Sequence, residues 1–169
     1  MNYLKISIIS VIITGLTSCF NRSNDDIGYY NSAYTPVIMA RPDLEKSIKL
    51  IEPQEINEFG KIYIKDSLLF INEKYEGIHV VDNSDPSNPE NLAFIVIPGN
   101  IDISIVNDII YADNALDLVA IKYTGDNVTI VDRNRNVFPE LLPPDGGFFH
   151  NNYQDDIPEN SVIIKWIAK

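Results

Sequence analysis

Among its 169 residues the chain has one cysteine, two histidines and one tryptophan, so side chains that bind soft metals or start covalent chemistry are scarce. A lone Cys19 excludes an intrachain disulfide, a CxxC redox pair and any Cys/His zinc spacing. His79 and His150 lie far apart in sequence and no GxSxG occurs, so no nucleophile with an adjacent base is marked. There is no phosphate-cradling loop: Asp145-Gly146-Gly147-Phe148-Phe149 lacks the lysine and the spacing. Positive charge is short as well, with 13 Lys+Arg against 24 Asp+Glu and a formal net charge of −11. A surface of that sign repels phosphate backbones, which argues against a nucleic-acid partner and favours cations or basic partners. Long apolar runs are also missing. The longest, "ISIISVIITGL" at residues 6–16, is about 11 residues, whereas a helix needs ~20 to span a bilayer.

That run is nevertheless informative. Lys5 precedes it as a positive n-region, and Leu16-Thr17-Ser18-Cys19 comes directly after it. An aliphatic residue, two small residues and a cysteine resemble the bacterial lipobox, in which the leader is cleaved before the cysteine and the thiol is acylated. The competing reading is an ordinary secretory signal with an incidental cysteine. Lipidation at Cys19 is the expectation, with the membrane contacted through the N-terminal lipid, because several acyl chains anchor stably at ~0.8 kcal/mol per buried CH₂.

After Cys19, "FNRSNDDIGYYNSAY" has neither helical nor strand periodicity and reads as a tether. "RPDLEKSIKLIEP" is the one helix signal: Pro42 suits the first position, Asp43 and Glu45 complement the dipole, and Pro53 ends it. From Gly60 onward, short β-branched and aromatic runs alternate with polar turns. Ile62–Ile64 and Leu68–Ile71 are joined by Lys65-Asp66-Ser67, and "GIHVVD" and "LAFIVIPG" come next. The pattern then recurs: Leu69-Phe70 falls on Ile110-Tyr111 41 residues later, and residues 78–81 fall on residues 118–121 40 residues later. "VTIVD" at residues 128–132 is a weaker third echo. A period of ~40–45 residues with about four strands is the mark of propeller blades, each of which needs a neighbour to bury its faces. The expected organisation is a leader at 1–18, a tether at 19–34 and a β-domain at 35–169. The fold class is all-β: propeller-like antiparallel blades, about two and a partial third, too few for a closed propeller, with one short N-terminal helix.

The residues that carry a family resemblance are Gly60-Lys61-Ile62-Tyr63, Phe70-Ile71-Asn72-Glu73, and Gly77-Ile78-His79-Val80-Val81-Asp82-Asn83. With them go Asp85-Pro86-Ser87-Asn88-Pro89, Ile97-Pro98-Gly99-Asn100 with Asp102, Tyr111-Ala112-Asp113 and Asp117-Leu118-Val119. Together they resemble the LVIVD-repeat lipoproteins, a β-propeller-like family common in Bacteroidetes. The resemblance implies a fold and an address at the outer membrane or cell surface, and leaves the mechanism open. The second repeat departs from it by replacing "SDPSNP" with "KYTGDNV".

Three sets of residues are candidates for binding. Asp82, Asn83 and Asp85 offer oxygen ligands of the kind calcium takes, as do Asp145, Asn151, Asn152, Asp155 and Asp156. Neither set follows the EF-hand pattern, and Asx-turn chemistry fixed by Pro86 and Pro89 explains the first set better, so no cofactor is expected. Asn72-Glu73 and Asp113-Asn114 are equivalent positions of two repeats and could converge on a small acidic pocket for a sugar, cation or basic peptide. The competing reading is one turn repeated twice. Asp66-Ser67-Leu68 resembles the Asp-Ser/Thr-aliphatic O-glycosylation site of Bacteroidetes envelopes, which marks Ser67. The expected function is a lipid-anchored, non-catalytic binding or assembly module with a protein or glycan partner, or an oligomer that completes the β-stack. The alternative is an enzyme or accessory subunit acting on surface polysaccharide, with Glu73 and Asp113 among its acids.

Overall fold

The computed structural model describes residues 32–146 and 157–169. They form eleven strands and one turn of helix, arranged as three antiparallel sheets. The first sheet has the order β2-β6-β5-β4-β3, from β2 (Lys49–Ile51), β3 (Phe59–Lys65), β4 (Leu68–Glu73), β5 (Gly77–Asp82) and β6 (Glu90–Val96). The second has the order β10-β9-β8-β7, from β7 (Ile103–Val106), β8 (Ile109–Asn114), β9 (Asp117–Tyr123) and β10 (Val128–Asn134). The third is a two-stranded ribbon of β1 (Tyr34–Ala40) and β11 (Ser161–Ala168), which brings the two ends of the described chain together.

The repeat seen in the sequence is a repeat of strand pairing. Leu68 pairs with Asp82 and Glu73 with Gly77 in the first sheet, and Ile109 pairs with Lys122 and Asn114 with Asp117 in the second. Even the irregularity is shared. The β5–β6 register steps from Val80↔Ala93 to Val81↔Asn91, skipping Leu92, and the β9–β10 register steps from Ala120↔Asp132 to Ile121↔Ile130, skipping Val131. A bulge re-aims a strand, so its presence at the same step gives both blades one shape. The first hairpin of each blade also turns on two residues, Asp66-Ser67 and Asn107-Asp108. Asp66, Asn107 and Asp108 sit at φ 54, 48 and 67, a conformation that Asn and Asp tolerate better than other side-chain-bearing residues.

The two blades stack face to face. Phe70, Ile78, Val80 and Ile95 of the first blade pack with Ile103, Ile110, Val119 and Ile121 of the second in one core, all buried. Each such side chain contributes on the order of 1.5–3 kcal/mol, against about 0.5–1.5 kcal/mol for a hydrogen bond, so apolar burial dominates the join. The opposite face of the first blade carries Ile71, His79, Val81 and Phe94. Residues 52–58 run from edge strand β2 to edge strand β3 and pass this face at Phe94 and Glu73. Five strands spaced ~4.8 Å apart put those edges ~19 Å from each other. Eight residue steps reach at most ~26–29 Å, so the strap is long enough to cross the sheet with some slack.

Three expectations change. The helix is only Arg41–Leu44, and residues that continued the helical pattern form β2 instead. The pull comes from Leu50, which packs with Ile48 against the inter-blade core. "VTIVD" lies in β10 and is the fourth strand of the second blade, equivalent to β6, rather than the start of a third; the β1–β11 ribbon is the sheet that accompanies the two blades. Tyr34, assigned to the tether, is the first residue of β1 and packs beside Leu141, Ile163 and Trp166.

Gly77 shows how closely the strands approach. It sits at φ 150, and a Cβ there would lie 2.0 Å from the Ile95 carbonyl oxygen. Gly125, at φ 91, has nothing within 4 Å of such an atom. Gly77→Ala should therefore cost more than about 2 kcal/mol, and Gly125→Ala about 1 kcal/mol from backbone conformation alone. Urea unfolding of the two variants measures the difference; equal midpoints would contradict the packing.

Candidate functional site

The linker between the blades carries the densest polar network. Pro98-Gly99-Asn100 passes between the β4–β5 and β8–β9 turns. Gly99 N–H donates to the Tyr75 carbonyl at 2.9 Å, Tyr75 N–H donates to the Asn100 carbonyl, and Asn114 Nδ2 donates to the Pro98 carbonyl at 2.6 Å. Asn100 is fully buried. Its Oδ1 accepts from Asn72 Nδ2, and its Nδ2 faces the Asp102 carbonyl at 3.0 Å, the Asp113 carbonyl at 3.1 Å and Asp113 Oδ1 at 2.9 Å. Asp113 also accepts from the Ile101 and Asp102 amides at 2.9 Å each. Burial nevertheless outweighs these donors and holds the Asp113 carboxyl above its ordinary range.

Asn72 and Asp113, equivalent residues of the two repeats, are thus brought to one place. They do not open into an acidic pocket; they satisfy each other through Asn100. Glu73 leaves that cluster. Its register partners put it on the outer face, where Oε2 meets His79 Nε2 at 2.5 Å. The His79 ring is buried and lies 4.6 Å from the Phe94 ring, centroid to centroid, so it is a hydrogen-bonded strand histidine. Glu73 and Asp113 share no hydrogen-bond partner among the described residues: Glu73 lies on the outer face of the first blade, whereas Asp113 belongs to β8 of the second blade and is held by the linker residues Asn100, Ile101 and Asp102.

The Asp82 cluster is turn chemistry. Asp82 Oδ1 accepts from the Ser84 amide at 2.8 Å and the Ser84 hydroxyl at 2.6 Å, and those bonds hold its carboxyl below the usual range. Asp85 Oδ1 accepts from the Ser87 amide at 3.0 Å, and the Asn83 amide donates to the Ser67 carbonyl at 2.7 Å. Among the described residues no group of three or more His, Cys, Asp or Glu is placed to hold a metal ion. Asp145 is bound to Ser32 Oγ at 3.1 Å and the Ala33 amide at 2.8 Å. Asn151, Asn152, Asp155, Asp156, His150 and Cys19 lie outside the described residues. Ser67 is exposed in its hairpin turn.

Sequence reasoning missed two clusters. Asp117 is fully buried between Arg41 Nη1 at 2.8 Å and Arg133 Nη1 at 2.7 Å, with the Asn136 amide at 3.1 Å. This ties the helical turn to the second blade. No local pattern links residues 41, 117 and 133, so only their charge types hinted at it. The second cluster is an apolar row on β3, a free edge strand among the described residues. The β3–β4 register steps from Ile62↔Ile71 to Phe59↔Glu73 through a bulge. Simple alternation would turn Phe59 inward; the bulge returns it to the outer face beside Ile62 and Ile64. These residues are 70, 53 and 73 % exposed. The strand's lysines face the other way: Lys61 pairs with Asp102, and Lys65 with Asp66 at 2.9 Å and Asp108 at 2.5 Å.

The linker network makes a pH-dependent prediction. Asn100→Asp places a second carboxyl against Asp113, so the folded state must retain a proton that the unfolded chain releases. An acid whose folded pKa is raised loses stability as pH rises through its unfolded value. The variant should be destabilised by about 1–3 kcal/mol near neutral pH and recover towards wild type at low pH; chemical denaturation across pH 4–8 checks this, and a deficit independent of pH would refute it. Comparison with protein-family models, with curated proteins and with solved structures finds no match in any of the three.

Proposed function

We propose that this chain is a lipid-anchored envelope protein whose two-blade stack serves as a non-catalytic binding or assembly module. The anchor rests on the leader and on Leu16-Thr17-Ser18-Cys19. The outer-membrane or cell-surface address rests on the same motif and on the resemblance to LVIVD-repeat lipoproteins. No helix among the described residues is long and apolar enough to cross a membrane.

One observation carries the binding role: the row Phe59, Ile62 and Ile64 on β3, which has no strand paired to its outer edge among the described residues. An unpaired edge strand with exposed apolar side chains is a template for another strand, and soluble proteins normally blunt such edges with charge. Here both lysines of the strand are directed away from the row and engaged by aspartates. The edge is left suited to a protein partner that adds a strand or lays an apolar face on it. The Glu73–His79 contact and the Asn72–Asn100–Asp113 network are packing interactions in this reading.

Affinity capture from cross-linked envelopes should enrich a specific partner with the wild-type chain. Ile62→Asp combined with Ile64→Asp should abolish the enrichment, while the stability measured by urea unfolding stays within about 0.5 kcal/mol of wild type, as for other exposed substitutions. A chain that enriches nothing, or enriches the same protein with and without the row, would reject the role. Cys19→Ser should move the protein from the membrane to the soluble fraction and remove the acyl mass. Unchanged fractionation would reject the anchor while leaving the binding surface standing.

A further inference from the structure

The apolar row on β3 has acidic surroundings at one end. The strap of residues 52–58 leads directly into Phe59 and carries Glu52, Glu55 and Glu58 with no basic residue. All three glutamates are exposed, and among the described residues their carboxylates have neither an ion pair nor a hydrogen bond. A cavity of about 390 Å³ opens between the strap and the outer face of the first blade. Glu55 lines it from the strap, Glu73 and Phe94 from the sheet, and Glu76 from the β4–β5 turn. Phe59 pairs with Glu73 in register, so the exposed Phe59 side chain and this cavity are neighbours on one face.

The nearby cations leave most of that charge uncompensated. Lys165 is bound to Glu76 at 2.7 Å, Lys74 lies over the Tyr75 ring at 4.8 Å, and Lys61 turns to Asp102 on the other face. Glu73 is only 9 % exposed and gives Oε2 to His79, while its Oε1 has no partner among the described residues. Glu55 and Glu58 therefore stand unpaired, and Glu73 half-engaged, at the Phe59 end of the row. At the Ile64 end the charges balance, with Lys65 between Asp66 and Asp108 and Lys122 beside Asp108.

The edge itself sets the spacing a partner must have. Lys65 and Leu68 close the β3–β4 hairpin, so alternation of the ladder directs the N–H and C=O groups of Ile62 and Ile64 to the open edge. A strand added there places two of its side chains beside Ile64 and Ile62, two residues apart on one face. Its next positions on that face, i+4 and i+6, come alongside Phe59 and the mouth of the cavity.

We propose that the partner of this edge is an extended basic segment, with apolar residues at i and i+2 and lysine or arginine at i+4 and i+6; this rests on the edge-strand role given above. The apolar pair packs on Ile62 and Ile64. The cations meet Glu55, Glu58 and the open oxygen of Glu73, with the Phe59 ring as a further cation contact. Charge matched at one end of the row selects the partner and fixes its direction along β3.

The probes are three end-capped, fluorescently labelled octapeptides with threonine at alternate positions. Their other four positions hold two isoleucines followed by two lysines, two glutamines or two glutamates. Anisotropy with the full chain should show the lysine peptide binding about tenfold more tightly than the glutamine peptide, and the glutamate peptide weaker still. Salt at about 0.5 M should remove the difference. Glu55→Gln with Glu58→Gln should weaken the lysine peptide about fivefold and leave the glutamine peptide and the urea midpoint unchanged. Ile62→Ser with Ile64→Ser should abolish the binding of both. A glutamine peptide that binds as tightly as the lysine peptide, or a lysine peptide indifferent to the Glu55 and Glu58 substitutions, overturns the basic partner and leaves the edge role standing. A lysine peptide that binds the serine variant as it binds wild type also overturns it, as plain attraction to an acidic surface. If none of the three peptides binds, both the basic partner and the strand-adding edge are rejected.

Discussion

Asn100 is the constraint on which the arrangement of the two blades depends. A buried primary amide must place both its donor and its acceptor sides, and Asn100 does so across the seam, accepting from Asn72 and facing Asp113 and the Asp102 carbonyl. Asn72 and Asp113 are equivalent positions of the repeat, so one side chain in the linker fixes one blade relative to the other. Apolar burial supplies most of the free energy that holds the faces together, but it is non-directional. The polar network decides their register. Gly99 belongs to the same device: a Cβ there would lie 2.7 Å from the Ala115 amide nitrogen, so the linker passes between the turns without a side chain.

The two blades are alike in register but unlike in their surroundings. The first is covered on its inner face by the second blade and crossed on its outer face by the strap of residues 52–58. Its central strands are accordingly buried on both sides, and Ile71, His79, Val81 and Phe94 are all below 9 % exposed. The second blade keeps the alternation of a half-covered sheet, with Ile110 and Ala112 buried and Tyr111 39 % exposed between them. At the turn end, the β1–β11 ribbon packs through Val162, Ile164 and Met39 on Ala115 and Leu116. Arg41, Asp117 and Arg133 add a buried ionic tie at that end, where an uncompensated charge would cost about 3–5 kcal/mol. The stack is therefore capped by the β1–β11 ribbon and by the strap, and apolar surface is left at the β3 edge.

Much of this was legible because the signals were local. The 41-residue offset between Leu69 and Ile110 reflects strand pairs that are formed by neighbours in the chain, and turn residues such as Asp66-Ser67 punctuate them directly. The Asp82–Asn88 turn was also readable, since Asx turns are closed by residues two positions away. The acidic-pocket reading of Asn72, Glu73 and Asp113 did not carry over, because adjacent strand residues point to opposite faces. Asn72 and Glu73 are sequence neighbours, yet one enters the seam and the other meets His79 on the outside. The helix was overestimated beyond Leu44 for a related reason: Leu44 and Ile48 share a face of a helix, and the packing of Ile48 and Leu50 against the inter-blade core decided for a strand.

By itself the sequence determined the all-β class, the blade period, the turn positions, the acidic balance and the scarcity of catalytic side chains, all of which come from composition and from contacts a few residues long. Only the tertiary structure decided that Asn100 joins the repeats, that Asp117 is shared by two arginines, and that a bulge turns Phe59 into line with Ile62 and Ile64. Those outcomes depend on which faces are pressed together across dozens of residues, and a pattern of period two cannot say which of a strand's two faces will meet a partner.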